Sequence, residues 1–298
     1  MRVSTSQMHE TSVSAMLDQQ ARLNKTMLQM TTGRRILTPS DDPPGSVQVL
    51  NINQEIELTK QYQKNANIAR TALVQEEDTL VGVINVLQRA RELAVRGNND
   101  ALGPDSRKGI ALEVRELLDT LMGLANTTDT NGNHIFAGYQ SAATPFEYDA
   151  VNQEYVYNGD QGQRLLQIGP ERRIADGDPG SDVFMRIPGS GNNMFEILDT
   201  LASSLEANTP DITTLGDLDA ALTHVTEIRA RIGSRINAID GQEEVNDAYM
   251  MDLEITRSDI ADLDYAKAIS SFNQQMIALQ AAQRTYVQVQ GLSLFNFI

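Results

Sequence analysis

The feature that most limits what this chain can fold into lies at its two ends. From residue 261 the sequence steps Ala261, Tyr265, Ala268, Phe272, Gln275, Leu279, Ala282, Tyr286, Val289. Intervals of four and three alternate throughout, and Gln275 is the one polar member. That is a single narrow seam on a helix of about eight turns, the pattern of a coiled coil. A narrow seam with a polar back needs a partner helix. The first thirty residues offer one: His9, Val13, Met16, Gln20, Leu23, Met27 and Met30 follow the same alternation, again with one Gln inside it. The two chain ends are therefore expected to pair. Two amphipathic helices lying on an ordinary core would give the same pattern.

With 298 residues the chain can hold two or more domains. Its apolar residues sit in thin stripes, so an elongated molecule is expected. Lys plus Arg number 24 against 40 for Asp plus Glu, a net charge of -16. This argues against nucleic acid as a partner, because phosphate binding needs a cationic surface. There is no Cys, which removes disulfides, thiolate catalysis and Cys-based zinc sites. The stretch Met1 to Gln7 lacks the apolar region of a Sec-type signal peptide. No run approaches the ~18 apolar residues of a membrane span. Export, if it occurs, is expected by another route.

A first helix is expected from about Ser4 to Thr32, stopping at Gly33. Asp42 followed by Pro43 reads as the N-cap and first position of a second long helix, to about Arg96. Leu73, Leu80, Ile84, Leu87 and Ala94 form its stripe, after a first half rich in Asn and Gln. A third helix, about Asp105 to Ala125, carries Ile110, Val114, Leu117, Leu121 and Leu124. From 133 to 192 the composition shifts to Gly, Asp and aromatics. Phe146 to Tyr148, Glu154 to Tyr157, Arg164 to Ile168 and Val183 to Ile187 read as short strands of a small β domain. Helix resumes at about Asn193, with the stripe Met194, Leu198, Leu201, Leu205. The last helical stretch starts near Thr214, where Thr214 and Asp217 resemble a capping box. It follows Leu218, Leu222, Val225, Arg229, Ile232, Ile236 and Ile239, and Gly241 loosens it without ending it.

The expected fold is mainly α with a small β domain inserted mid-chain. Its parts are 1–40 (N-terminal helix of an inner terminal domain), 41–132 (first part of a helical rod), 133–192 (β domain), 193–257 (second part of the rod) and 258–298 (C-terminal helix of the inner domain). The termini converge at one end of the rod.

No catalytic, cofactor or metal constellation stands out. His9, His134 and His224 are scattered, no Gly-x-Ser-x-Gly elbow or Walker loop exists, and Gly189-Ser190-Gly191 is a lone turn. Asp176, Asp178 and Asp182 could bind calcium in principle, but lack the spacing of an EF-hand loop. An enzyme is therefore not expected, and an assembling subunit is favoured. The terminal pair should be marginal alone, becoming ordered when neighbouring copies bury its remaining faces. The expected assembly interface is Val13, Met16, Gln20, Leu23, Met27, Met30, Tyr265, Phe272, Gln275, Leu279, Tyr286 and Val289.

Several motifs carry a resemblance. Met1-Arg2-Val3-Ser4-Thr5-Ser6, Gln20-Ala21-Arg22-Leu23, Thr32-Gly33-Arg34-Arg35-Ile36 and Pro39-Ser40-Asp41-Asp42-Pro43 resemble the N-terminal region of the bacterial flagellin superfamily. So do Gln88 to Val95, Leu124-Ala125-Asn126, Gly132 to Tyr139, Tyr157 to Asp160, Pro179 to Phe184, Ser258 to Ala268 and Leu292 to Phe295. Phe136-Ala137-Gly138-Tyr139 and the ending Leu294 to Ile298 resemble the hook-filament junction members of that superfamily more than a short flagellin, which stands as the alternative. One departure is Pro44-Gly45, where the superfamily often has small aliphatic residues.

The resemblance implies a flagellin-like rod whose terminal helices pair as a coiled coil. It implies export through the flagellar type III apparatus and a place at the hook-filament junction, outside the cell. There the chain would form a homo-oligomeric ring, with hook-associated protein 1 on the hook side and flagellin, which it templates, on the filament side. A cytoplasmic export chaperone would hold the C-terminal helix, about Asp259 to Phe297. No cofactor and no membrane insertion are implied. A secreted enzyme or adhesin carried on residues 133–192 is the rival of a different class.

Overall fold

A computed structural model describes the backbone of residues 5–291 and the side chains of 7–288. Among them are α1 (Thr5–Thr32), α2 (Pro43–Gly97), α3 (Pro104–Ala125), β1 (Phe146–Asp149), β2 (Glu154–Tyr157), β3 (Leu165–Gln167), β4 (Arg173–Ala175), α4 (Met194–Glu206), α5 (Thr213–Ala261) and α6 (Tyr265–Gly291). The chain is mainly helical, with its few strands in the middle. It divides into two compact units, a terminal one from 1–58 with 249–298 and a central one, Thr59–Ala248. None of the described helices is long and apolar enough to cross a membrane.

The helix ends follow local chemistry. α1 stops where Gly33 takes a positive φ of 69°. α2 begins at Pro43 because Asp42 caps it: Asp42 Oδ1 accepts the Gly45 N–H at 3.0 Å. α4 opens with a full capping box. Asn193 Oδ1 accepts the Glu196 N–H and Glu196 Oε2 accepts the Asn193 N–H, both at 2.9 Å. The box expected at Thr214 and Asp217 is not what starts α5. Asp211 does so, its Oδ1 accepting the Thr213 N–H at 2.9 Å and the Thr213 hydroxyl at 2.8 Å. A carboxylate just before the first turn is a stronger acceptor than a hydroxyl, and Thr214 instead donates to the Asp211 carbonyl at 2.7 Å. α5 passes Gly241 without a break. The break comes at 262–264, so α6 starts at Tyr265 and not at Ala261.

In the central unit α2 and α5 run antiparallel, joined by a ladder of polar pairs. Arg91 binds Asp219 at 2.5 Å and Arg229 binds Glu77 at 2.7 Å. Arg70 reaches both Asp240 and Glu243, and Gln63 donates to Asp247 at 2.6 Å. Leu73, Leu80, Leu87 and Ala94 are fully buried, as their heptad spacing requires. α3 packs on α4, where Arg115 bonds Asp199 and Glu206. All four expected stripe residues of α4 are fully buried.

The β part is two separate antiparallel hairpins, β1-β2 and β3-β4. β1 pairs Phe146 with Tyr157, and β3 pairs Leu166 with Ile174. No strand is expected from the sequence at β4, whose three residues, Arg173–Ala175, are too few to show an alternation. The strand expected at Val183 to Ile187 is instead a π-helical turn, Ser181–Met185. A half-buried strand sends neighbours to opposite faces, whereas Val183 and Phe184 are both fully buried. Phe184 joins an aromatic cluster with Phe136, Phe146 and Phe195, at centroid distances of 5.1, 5.2 and 5.9 Å. Gly180, before the turn, has no room for a side chain: a Cβ would sit 2.6 Å from the Phe146 ring.

Candidate assembly interface

In the terminal unit α1 and α6 pair, as the stripes predicted, and they run antiparallel. The His9 ring meets the edge of Tyr286 at 5.6 Å, while Tyr265 Oη donates to the Met30 carbonyl at 3.1 Å. On α6 the seam falls where expected, with Ala268 buried and Phe272, Gln275, Leu279, Ala282 and Tyr286 partly buried. Tyr265 is half exposed. The side chain of Val289 lies outside the described residues.

On α1 half the seam is shifted by one residue. His9, Met16, Leu23 and Met30 are partly covered, but Val13, Gln20 and Met27 are exposed. Ser12, Gln19 and Thr26 take the intervening places. Thr26, the one buried side chain among the described residues of α1, donates its hydroxyl to Gln275 Oε1 at 3.0 Å. Gln19 Nε2 donates to the Gln275 carbonyl at 3.2 Å, and Gln275 Nε2 donates to Ser271 Oγ at 3.1 Å. A polar pair in the seam fixes register at some cost in stability. Gln275 therefore has partners within its own chain, and Gln20 faces outward instead of joining the seam.

A clasp built from residues 33–42 holds the end of α5 and the joint to α6. The Arg35 N–H donates to the Ala261 carbonyl at 2.8 Å, and the Leu263 N–H donates to the Gly33 carbonyl at 2.9 Å. The Arg35 guanidinium caps the Ile260 carbonyl at 2.7 and 3.0 Å and binds Asp42 at 2.9 Å. These satisfy C-terminal carbonyls that α5 leaves open. Asp41 Oδ2 accepts the Leu37 and Thr38 N–H groups, and Oδ1 binds Lys25 at 2.6 Å. Hydrogen bonds from Lys25 first, then from the Thr38 amide, draw the Asp41 carboxyl down to about 2. Gly45, the departure noted in the sequence, fits here. A Cβ would lie 2.6 Å from Asp42 Oδ2 and 2.9 Å from Ile36 Cδ1.

The terminal unit is poorly sealed. Among the described residues, its buried apolar side chains are Ile52, Ile56 and Ala268, while the rest of the buried core belongs to the central unit. It exposes Leu17, Leu28, Leu50, Ile255, Ile277 and Val287, each by half or more. The sequence seams did not include these positions, which lie on the flanks of the helices.

The central unit also exposes apolar side chains, Leu112, Val151, Ile212 and Val245 among them, but over a large buried core. The carboxylates considered for calcium are each held by an arginine. Asp176 binds Arg164, Asp178 takes Arg235 at 2.9 and 3.1 Å, and Asp182 binds Arg186 at 3.3 Å. His134 and His224 are tied through ring nitrogens to the Asn126 and Asp182 carbonyls, each at 2.8 Å. Sequence reasoning missed two buried polar devices, which lack any periodic signal. Arg107 ties the Gly97 and Asn99 carbonyls to Asn208 Oδ1 at 3.1, 3.0 and 2.7 Å. Glu76 accepts the Asp178 N–H at 3.2 Å while its other oxygen has no partner. Burial, and next the Asp178 charge, raise the Glu76 carboxyl well above its ordinary range.

Paired terminal helices, a helical central unit and mid-chain hairpins define a flagellin-type chain. Comparisons agree: the family models for the bacterial flagellin N-terminal helical region and C-terminal helical region match residues 3–141 and 215–298. Flagellar hook-associated protein 3 of Salmonella typhimurium is 31% identical over 319 aligned positions, covering 99% of each chain. Bacillus subtilis flagellin is more distant, 24% identical over 89% of this chain and 88% of its own. The crystal structure of hook-associated protein 3 from Legionella pneumophila superposes with a TM-score of 0.66 at 21% identity, covering 71% of this chain and 98% of that one. The chain belongs to the flagellar hook-associated protein 3 family, structural proteins of the bacterial flagellum.

Proposed function

We propose that this chain is the structural subunit of the junction between hook and filament, forming a ring through its terminal unit. Hook-associated protein 1 would lie on the hook side and flagellin, templated by the ring, on the filament side. A cytoplasmic export chaperone would hold α6 before type III export. The reading is structural rather than enzymatic. Family membership supports the place in the flagellum, and the greater distance of flagellin supports the junction over the filament itself. The observation that carries the ring is the unsealed terminal unit: a half-covered α1-α6 seam flanked by exposed Leu17, Leu28 and Ile277. Copies of the chain that bury those flanks gain roughly 25 cal/mol for each Å² of apolar surface removed from water.

On this reading the assembly residues are divided by role. Met16, Leu23, Met30, Phe272, Gln275, Leu279 and Tyr286, with the Tyr265 hydroxyl, hold the helix pair together, while Val13, Gln20 and Met27 face neighbours. A deletion strain tests the function. Hooks without filaments, with flagellin shed into the medium, are expected; hooks carrying full filaments would refute it.

A further inference from the structure

The methionines of this chain are unevenly placed. Those exposed among the described residues are Met8 at 50%, Met27 at 58%, Met251 at 64% and Met276 at 37%. All four belong to the terminal unit. In the central unit Met194 is fully buried, and Met122 and Met185 are partly buried against its core. Met27 and Met276 directly follow Thr26 and Gln275, the hydrogen-bonded pair that sets the α1-α6 register. They stand on the apolar flanks beside Leu28 and Ile277.

We propose that Met8, Met27, Met251 and Met276 are an oxidation site set, whose conversion to sulfoxide by a peroxide keeps the free subunit from assembling. The inference rests on the assembly reading above. In the reaction a sulfur lone pair attacks one peroxide oxygen and the O–O bond breaks. The S–O bond forms and water leaves, so sulfur is oxidised and the peroxide reduced. Exposure governs which thioethers react, and the product is polar where the parent was apolar. Four such changes on one unit put dipoles on the surface that neighbouring copies would cover. Burying a polar group without a partner is unfavourable, so the modified subunit is excluded. Once copies have assembled, the same sulfurs are covered and protected.

The test treats the purified full-length chain with dilute hydrogen peroxide and maps sulfoxide by peptide mass spectrometry. Binding to hooks isolated from a strain lacking this chain is then measured. Met8, Met27, Met251 and Met276 are expected to convert at least about tenfold faster than Met194, following their exposure. Oxidised wild type should lose hook binding, and methionine sulfoxide reductase should restore it. In a variant carrying Met8→Leu, Met27→Leu, Met251→Leu and Met276→Leu, the same treatment should leave hook binding at that variant's own untreated level. Met194 oxidising as fast as the four, or oxidised wild type binding as well as untreated protein, would overturn the inference. Failure of untreated wild type to bind hooks would instead count against the assembly reading, leaving the oxidation map to judge site selectivity.

Discussion

At the scale of single residues, Glu76 makes the clearest pH statement. Its carboxyl is raised chiefly by burial, then by the Asp178 charge, with Asp176 adding to the rise and Arg235 opposing it. A group with a raised folded pKa contributes its full stability below the ordinary glutamate range, and that contribution is lost as pH rises toward the folded value. Glu76→Gln keeps an oxygen for the Asp178 N–H without the ionisation. It should therefore melt higher than wild type at about pH 8, and the gap should close near pH 4, where both forms are neutral. Melting curves across that range would check it, and a gap that does not depend on pH would contradict it. Gly45 gives a second residue-scale expectation. Gly45→Val pushes a side chain into Asp42 Oδ2 and Ile36, disturbing a cap worth about 1 kcal/mol. Circular dichroism melts should show the loss, and Gly45→Val as stable as wild type would argue against the close fit.

At the scale of elements, much of the chain was legible. The Gly33 stop, the Asp42–Pro43 start and the α6 seam are where local chemistry and spacing put them. The recurrent misreading has one physical cause. Next to each heptad position lie two candidates one residue apart, and reading by size picks the larger apolar one. Packing picked the smaller or better-bonded residue in several places: Thr26 over Met27, Ser12 over Val13, Ala221 over Leu222, Ala125 over Leu124. Helices approach closely where side chains are small, and the larger neighbour is left on the flank. The π-helical turn was illegible because a short apolar run does not distinguish strand from turn.

The polar register pair follows from the same packing. Thr26→Val leaves Gln275 Oε1 without its donor and should cost about 1 kcal/mol of α1-α6 pairing. The double variant Thr26→Val with Gln275→Leu should recover most of it, because both polar partners are then gone. A double-mutant cycle reading near zero coupling would contradict the pairing. The clasp yields its own expectation. Arg35→Ala removes the donors to the Ile260 carbonyl and the partner of Asp42. Hydrogen exchange at 258–264 should then accelerate by on the order of tenfold or more, as about 1.5–3 kcal/mol of charged hydrogen bonding is lost. Unchanged exchange there would show the clasp to be unimportant.

At the scale of the whole molecule, the two units differ in how complete they are alone. The central unit buries nearly all the fully enclosed apolar side chains, while the terminal unit holds a polar-latched seam and bare flanks. Stability is not uniform in such a chain. Phe272→Ala or Leu279→Ala should leave the thermal transition of the central unit in place and still impair incorporation into the flagellum. Loss of that transition would show that the two units do not fold separately. The same division explains why the sequence points at its own ends first: seams too thin to seal a core are legible as seams, but the exposed flanks carry no period of their own.

The most direct test compares amide hydrogen exchange of α1 and α6 in the free subunit and in the assembled junction. Assembly should slow exchange along both helices by on the order of a hundredfold or more, with α4 already protected in the free chain. Terminal helices as protected in the free subunit as α4, and unchanged on assembly, would contradict the claim that this unit is completed by its neighbours.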